Sequence, residues 1–155
     1  MNKILVSYFS ATGITKNIAS IIASTIGGDL FEIEPINKYT KEDLDWRNNQ
    51  SRSSIEMNDK EFRPPIKNKI SNINAYNTII LGFPVWWYTA PTIVNTFIEE
   101  NNLENKKVYI FVTSGSSSVD SSFNDLKNRY QNINIIKGKR FIGNESTEDI
   151  LDFIK

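Results

Sequence analysis

Apolar positions along the chain alternate between short continuous runs and runs at helical spacing. Ile4-Leu-Val-Ser-Tyr-Phe9 is continuous, and Ile14, Ile18, Ile21, Ile22 and Ile26 follow it with the period of a helix. Gly27-Gly28 stops that helix. Leu30-Phe-Glu-Ile-Glu34 reads as a second strand closed by Pro35. The unbroken apolar character of Thr78-Ile-Ile-Leu-Gly-Phe83 and of Val108-Tyr-Ile-Phe-Val112 predicts two buried strands. Between them, Pro91 to Glu100 forms a helix with proline at its start and Ile93, Val94, Phe97 and Ile98 on one face. Ser122 to Tyr130 is helical through Phe123, Leu126 and Tyr130, and Ile133 to Ile136 is a last strand that can extend toward Phe141. A Ser-Thr-Glu signal opens a terminal helix over Ser146 to Ile154.

Strands alternating with helices imply right-handed crossovers and an α/β protein of three layers, a doubly wound parallel sheet between helices. Ligands of such sheets sit beyond the carboxyl ends of the strands. Three turns fall there: Ser10 to Thr15, Pro84 to Ala90, and Thr113 to Asp120. The segment at about 35–73 breaks the alternation. It is polar, contains Pro64-Pro65, and carries Tyr39, Trp46, Arg47, Arg52, Glu56 and Arg63. Long irregular connections in small domains are functional or disordered. We expect an ordered excursion over the sheet edge or the ligand, with Leu44 and Trp46 docking and Thr40-Lys-Glu-Asp43 starting a helix.

The 155 residues are enough for one domain, 1–155, with a substantial core. Eighteen basic and eighteen acidic side chains cancel, so no electrostatic argument favours nucleic acid or an anionic membrane. There is neither cysteine nor histidine, which removes disulfides, thiolate chemistry, Cys/His metal sites and every triad that depends on His. If this protein moves electrons, a cofactor must carry them. The N-terminus enters a strand at once and no apolar run reaches membrane-spanning length, so a cytoplasmic protein is expected. Richness in Asn, Ile and Lys points to an AT-rich bacterial genome.

Ser10-Ala-Thr-Gly-Ile-Thr15 links a strand to a helix N-terminus, where backbone N–H groups lack internal partners and the dipole favours an anion. Ser10, Thr12 and Thr15 add hydroxyls, and Gly13 lets the backbone close. The turn lacks the Gly-Lys-Ser/Thr ending of a nucleotide P-loop and the spaced glycines of a dinucleotide fingerprint. With no cation inside it, it suits a terminal phosphomonoester better than a triphosphate. An ordinary capped turn has a similar composition. Phe83-Pro-Val-Trp-Trp-Tyr88 places consecutive aromatics in an extended turn, where they cannot all face one core. Some either reach the cleft and stack on a planar ring, or plug the sheet end or form a dimer contact. Thr113-Ser-Gly-Ser-Ser-Ser118 is small and rich in donors. Together the three turns fit a phosphorylated planar heterocycle.

These pieces carry a family resemblance. Tyr8-Phe-Ser-Ala-Thr-Gly-Ile-Thr15, Asp45-Trp46 with Arg52 and Glu56, Arg63-Pro64, Leu81-Gly-Phe-Pro-Val-Trp-Trp87 and Thr113-Ser-Gly115 resemble the flavodoxins, above all short flavodoxin-like proteins with a Gly-Phe-Pro-Val-Trp-Trp turn. The resemblance implies a five-stranded sheet of order 2-1-3-4-5 and FMN as cofactor. It places the phosphate at Ser10, Thr12, Gly13, Ile14 and Thr15. Pro84, Val85, Trp86 and Trp87 border the isoalloxazine, with Ser114 and Gly115 on the third side.

Two departures stand out. Many flavodoxins are strongly acidic, and this chain is neutral. The third loop also lacks the aromatic that often covers the flavin, for which Tyr88 or Trp46 could substitute. The function implied is electron transfer, or reduction of a small acceptor such as a quinone. The partners are then a redox protein or that acceptor, with the chain a monomer or weak homodimer. The alternative is a flavodoxin-fold binding or regulatory module that holds no flavin. A receiver domain needs acidic residues at the end of the first strand, where this chain has Tyr8-Phe9-Ser10, and a phosphatase of similar fold needs a cysteine. Flavodoxins that stabilise one-electron-reduced flavin often turn over a peptide beside the ring, most easily at glycine. Pro84 to Tyr88 contains none, and Val85 and Trp86 resist positive φ, which predicts two-electron exchange.

Overall fold

The computed structural model describes residues 3–155. Five strands, β1 (Ile4–Tyr8), β2 (Asp29–Glu32), β3 (Thr78–Pro84), β4 (Lys107–Thr113) and β5 (Asn134–Arg140), pair in the order 2-1-3-4-5. Every pairing is parallel, as crossover helices require. The helices are α1 (Ile14–Ile26), α2 (Arg52–Met57), α3 (Thr92–Glu100), α4 (Asp120–Arg129) and α5 (Thr147–Phe153). A single 3-10 turn over Ile73–Ala75 precedes β3.

Side chains alternate faces along each strand. Leu5, Ile79, Leu81, Phe83, Val108, Ile110 and Val112 point to the layer of α3 and α4, meeting Ile93, Val94, Phe97 and Leu126. Val6, Tyr8, Ile80, Tyr109 and Phe111 point the other way, to Ile18, Ile22, Ile150 and Phe153 of α1 and α5. That is why the central strands read as unbroken apolar runs. At Gly82 the missing side chain is a packing requirement, since a Cβ there would lie 2.0 Å from the Phe111 ring.

Several boundaries differ from expectation, each for a local reason. In α1 the buried stripe is Thr15, Ile18, Ala19, Ile22 and Ala23, while Ile14 and Ile21 are exposed because they fall off its centre. Pro91 caps α3 from outside, its ψ of 143° being non-helical. In α5 the reciprocal capping partner of Ser146 is Asp149.

The excursion is ordered and clipped to the body. Asn68 joins its two ends, accepting from the Glu34 amide and donating to the Glu32 carbonyl. Arg63 makes a bidentate pair with Glu99 of α3, both contacts 2.9 Å. Thr40 and Asp43 do form reciprocal capping bonds, yet no helix propagates. Asp45 and Asn48 side chains take the amides two residues on and divert the backbone, so the helix comes later, as α2. Leu44 is half-buried, whereas Trp46 does not dock and stays 67% exposed.

Candidate functional site

At the end of β1 the chain bends sharply before α1. Gly13, at φ 99°, occupies the left-handed region at the helix start, and having no side chain it leaves capping to others. A Cβ at Gly13 would touch nothing within 4 Å, so glycine serves the backbone angle and not the space. Ser10 Oγ accepts from the amides of Gly13 and Lys16, each at 3.1 Å. The amides of Thr12, Ile14 and Thr15 make no hydrogen bond among the described residues. Thr12 and Ile14 stand exposed at the tip. Thr15 is buried, with Oγ1 2.8 Å from Thr113 Oγ1. The turn can therefore receive an anion through its amides, with Thr15 fixed on β4.

The aromatic turn divides in two. Trp86 packs inward, edge-to-face on Phe9 at 5.6 Å and on Tyr39 at 5.3 Å between centroids. Behind Tyr39 lies Arg52, its guanidinium 3.7 Å over the ring, and both side chains bond the buried Glu56 carboxylate. Burial and that hydrogen bond push the Tyr39 phenol far above its ordinary pKa, so it stays a neutral donor. Trp87 and Tyr88 face outward, 44% and 72% exposed. Both have positive φ, 48° and 65°, although neither is glycine. Trp86 and Thr89 exchange backbone bonds of 2.9 and 3.0 Å, the signature of a type I′ turn, which demands positive φ at both central residues. Val85 and Trp86 stay out of that region, as expected, and the positive angles fall on the next two residues, Trp87 and Tyr88, instead. The cross-turn bonds impose them, helped by Thr89 Oγ1 donating to Asp125 at 2.6 Å.

On the third side, Arg140 from the end of β5 donates to Ser114 Oγ and to the carbonyls of Ser114 and Gly115, at 2.9–3.0 Å. Thr113 ties all three turns together. Its hydroxyl meets Thr15, its carbonyl accepts from the Val85 amide at 3.1 Å, and Ser114 follows it. Pro84 and Val85 are half-buried beside this junction. A cleft of about 670 Å³ opens between Thr12 and the stretch from Lys41 to Arg47, with Trp46 on its wall. Sequence reasoning placed Thr113 in one of the three turns without a role of its own, and did not single out Tyr39 or Arg140 as site residues. Their roles depend on contacts between separate segments, 17 to 98 residues apart, which no local pattern carries.

The chain matches the family model described as flavodoxin over residues 3–155. It is 28% identical over 145 residues to a flavodoxin of Haemophilus influenzae, covering 91% of this chain and 67% of that protein. A candidate flavoprotein from Bacteroides eggerthii shares 45% identity with a TM-score of 0.96, over 99% of this chain and 96% of that one. A flavoprotein of Lactobacillus acidophilus, solved in complex with FMN, shares the fold at a TM-score of 0.76 and 24% identity, with all of both chains covered.

Proposed function

Because this chain belongs to the flavodoxin family, we propose that it is an FMN-binding redox protein that transfers electrons to a partner or to a small acceptor such as a quinone. One observation carries the reading: Thr113 joins an anion-receptive turn, an aromatic turn and a small-residue turn at one edge of the sheet. The free amides of the Ser10–Thr15 turn, with the exposed Thr12 beside them, suit the phosphate. Pro84, Val85, Trp86 and Trp87 on one side, with Ser114 and Gly115 on another, frame the ring. Trp46, exposed on the cleft wall opposite Thr12, is the aromatic we assign to cover its outer face.

Bound there, FMN supplies reversible electron chemistry that no side chain of this protein can provide. The chain's own part is to bind, orient and shield. It works as a single cytoplasmic domain, a monomer or weak homodimer. No helix among the described residues is long and apolar enough to cross a membrane. The cross-turn bonds and the Val85–Thr113 bond pin the aromatic turn at both ends. Electrons therefore move preferentially in pairs, because a pinned turn cannot rearrange to favour a one-electron state.

An absorption spectrum of the purified protein, before and after adding FMN, tests the reading. Riboflavin, which lacks the phosphate, is expected to bind at least about tenfold more weakly, since hydrogen bonds to a charged group contribute about 1.5–3 kcal/mol each. Equal affinities overturn the phosphate placement, and a colourless protein indifferent to FMN overturns the function. A large, persistent one-electron form on photoreduction overturns the paired transfer.

A further inference from the structure

A second concavity lies on the outward side of the aromatic turn, and no residue of the Ser10–Thr15 turn lines it. It has a volume of about 260 Å³ and is walled by Trp87 and Tyr88, the start of α3, the exposed side of α4, Met57 at the end of α2, and Lys60 beyond it. That is just below the usual span of small-molecule pockets, roughly 300–1,000 Å³, so it suits a compact ring system.

Several features ask for an occupant. Two large aromatics are held exposed in a backbone region that opposes them, and such strain clusters where ligands are gripped. Thr92, on the cavity wall at the first turn of the nine-residue α3, is only 4% exposed, and its Oγ1 has no hydrogen-bond partner among the described residues. Buried hydroxyls are ordinarily satisfied. The positive end of α3 adds to that polarity. Lys60 contributes an ammonium with no carboxylate partner among the described residues. The other charges are already engaged, Arg129 with Glu61 at 3.0 Å and Asp125 with Thr89 at 2.6 Å.

We propose that this cavity is the acceptor site, and that it takes a small planar aromatic molecule bearing a negative charge. The ring lies against Trp87 and Tyr88, and the anionic group meets Thr92 Oγ1, the first amides of α3 and Lys60. The proposal rests on the redox reading above, because it names the class of acceptor that reading requires.

The probes are 1,4-naphthoquinone-2-sulfonate and its uncharged counterpart 2-methyl-1,4-naphthoquinone. Their binding to the oxidised, FMN-loaded protein is measured by titration calorimetry, and reoxidation of the photoreduced protein is followed separately. The sulfonate is expected to bind one per chain and more tightly than the neutral quinone. Lys60→Gln and Thr92→Val should each weaken the sulfonate about fivefold. Both should leave the neutral quinone and FMN within about twofold. Thr92→Val should also raise the thermal midpoint, because it removes a buried hydroxyl that lacks a partner.

A sulfonate that does not bind, or that binds both variants as it binds the parent, overturns the site. If the sulfonate binds and both variants weaken it while the reduced protein passes it no electrons, the site stands and the redox reading falls.

Discussion

The two bends at the site edge reach the left-handed region by different means. At Gly13 the chain uses glycine, and nothing else is needed. At Trp87 and Tyr88 it uses two of its bulkiest side chains, and the bend is imposed by its surroundings. A left-handed L-residue costs roughly 1–2 kcal/mol, so the second bend must be held by bonds elsewhere. Those bonds are the Trp86–Thr89 pair, the Val85–Thr113 link and the stack of Trp86 on Tyr39 and Arg52. The first bend is a property of its sequence, the second of its neighbours.

The largest test strikes the neighbours. Arg52→Leu leaves the Glu56 carboxylate buried with only Tyr39 as donor and strips the ring of its cation. Breaking such a pair is expected to destabilise the protein by about 3 kcal/mol in urea unfolding. Near-ultraviolet circular dichroism of Trp86 should change with it. A loss below the range of surface pairs, about 1 kcal/mol, would mean that the aromatic bend stands without its column. Thr113→Val comes next. It removes the Thr15 partner and leaves that buried hydroxyl unsatisfied, at a cost of about 1–2 kcal/mol. FMN affinity should fall as well, because the anion turn loses its tie to β4. If stability falls and affinity does not, the three turns act independently.

The same contrast explains what could be read from the chain. The strands and the anion turn are legible because each is local: five residues of one hydrophobicity, or a glycine beside hydroxyls at a helix start. The excursion was legible only as an exception. Its real helix begins at Ser51, whose hydroxyl caps the Ser54 amide, and not at Thr40. Side chains of Asp45 and Asn48, two and five residues beyond Asp43, undo the earlier capping signal. Trp86 and Trp87 are adjacent and identical in type, yet one is packed and the other exposed. Phe9, just past β1, and Tyr39 of the excursion distinguish them.

Gly13→Ala addresses the first bend alone. Added methyl volume meets no atom within 4 Å, so the expected loss is the backbone term, about 1 kcal/mol, seen as a lower urea midpoint. A much larger loss would mean that packing, not φ, selects glycine there.

The smallest effect has the opposite sign. Tyr88 is 72% exposed, makes no ring contact with another aromatic among the described residues, and sits at φ 65°. Asparagine tolerates that region far better and is favoured at the centre of type I′ turns. It also avoids the extra unfolded-state entropy that glycine brings. Tyr88→Asn should therefore stabilise the protein by about 0.5 kcal/mol, after allowing for lost apolar contact with the turn. The midpoint of urea unfolding should rise with an unchanged slope, which makes the change one of stability and not of compactness. A fall in stability would show that the tyrosine ring repays its backbone strain through contacts in the folded state, and the two bends would then differ less than their residues suggest. A rise accompanied by weaker binding of the sulfonated quinone would assign the strain to the pocket that Tyr88 walls.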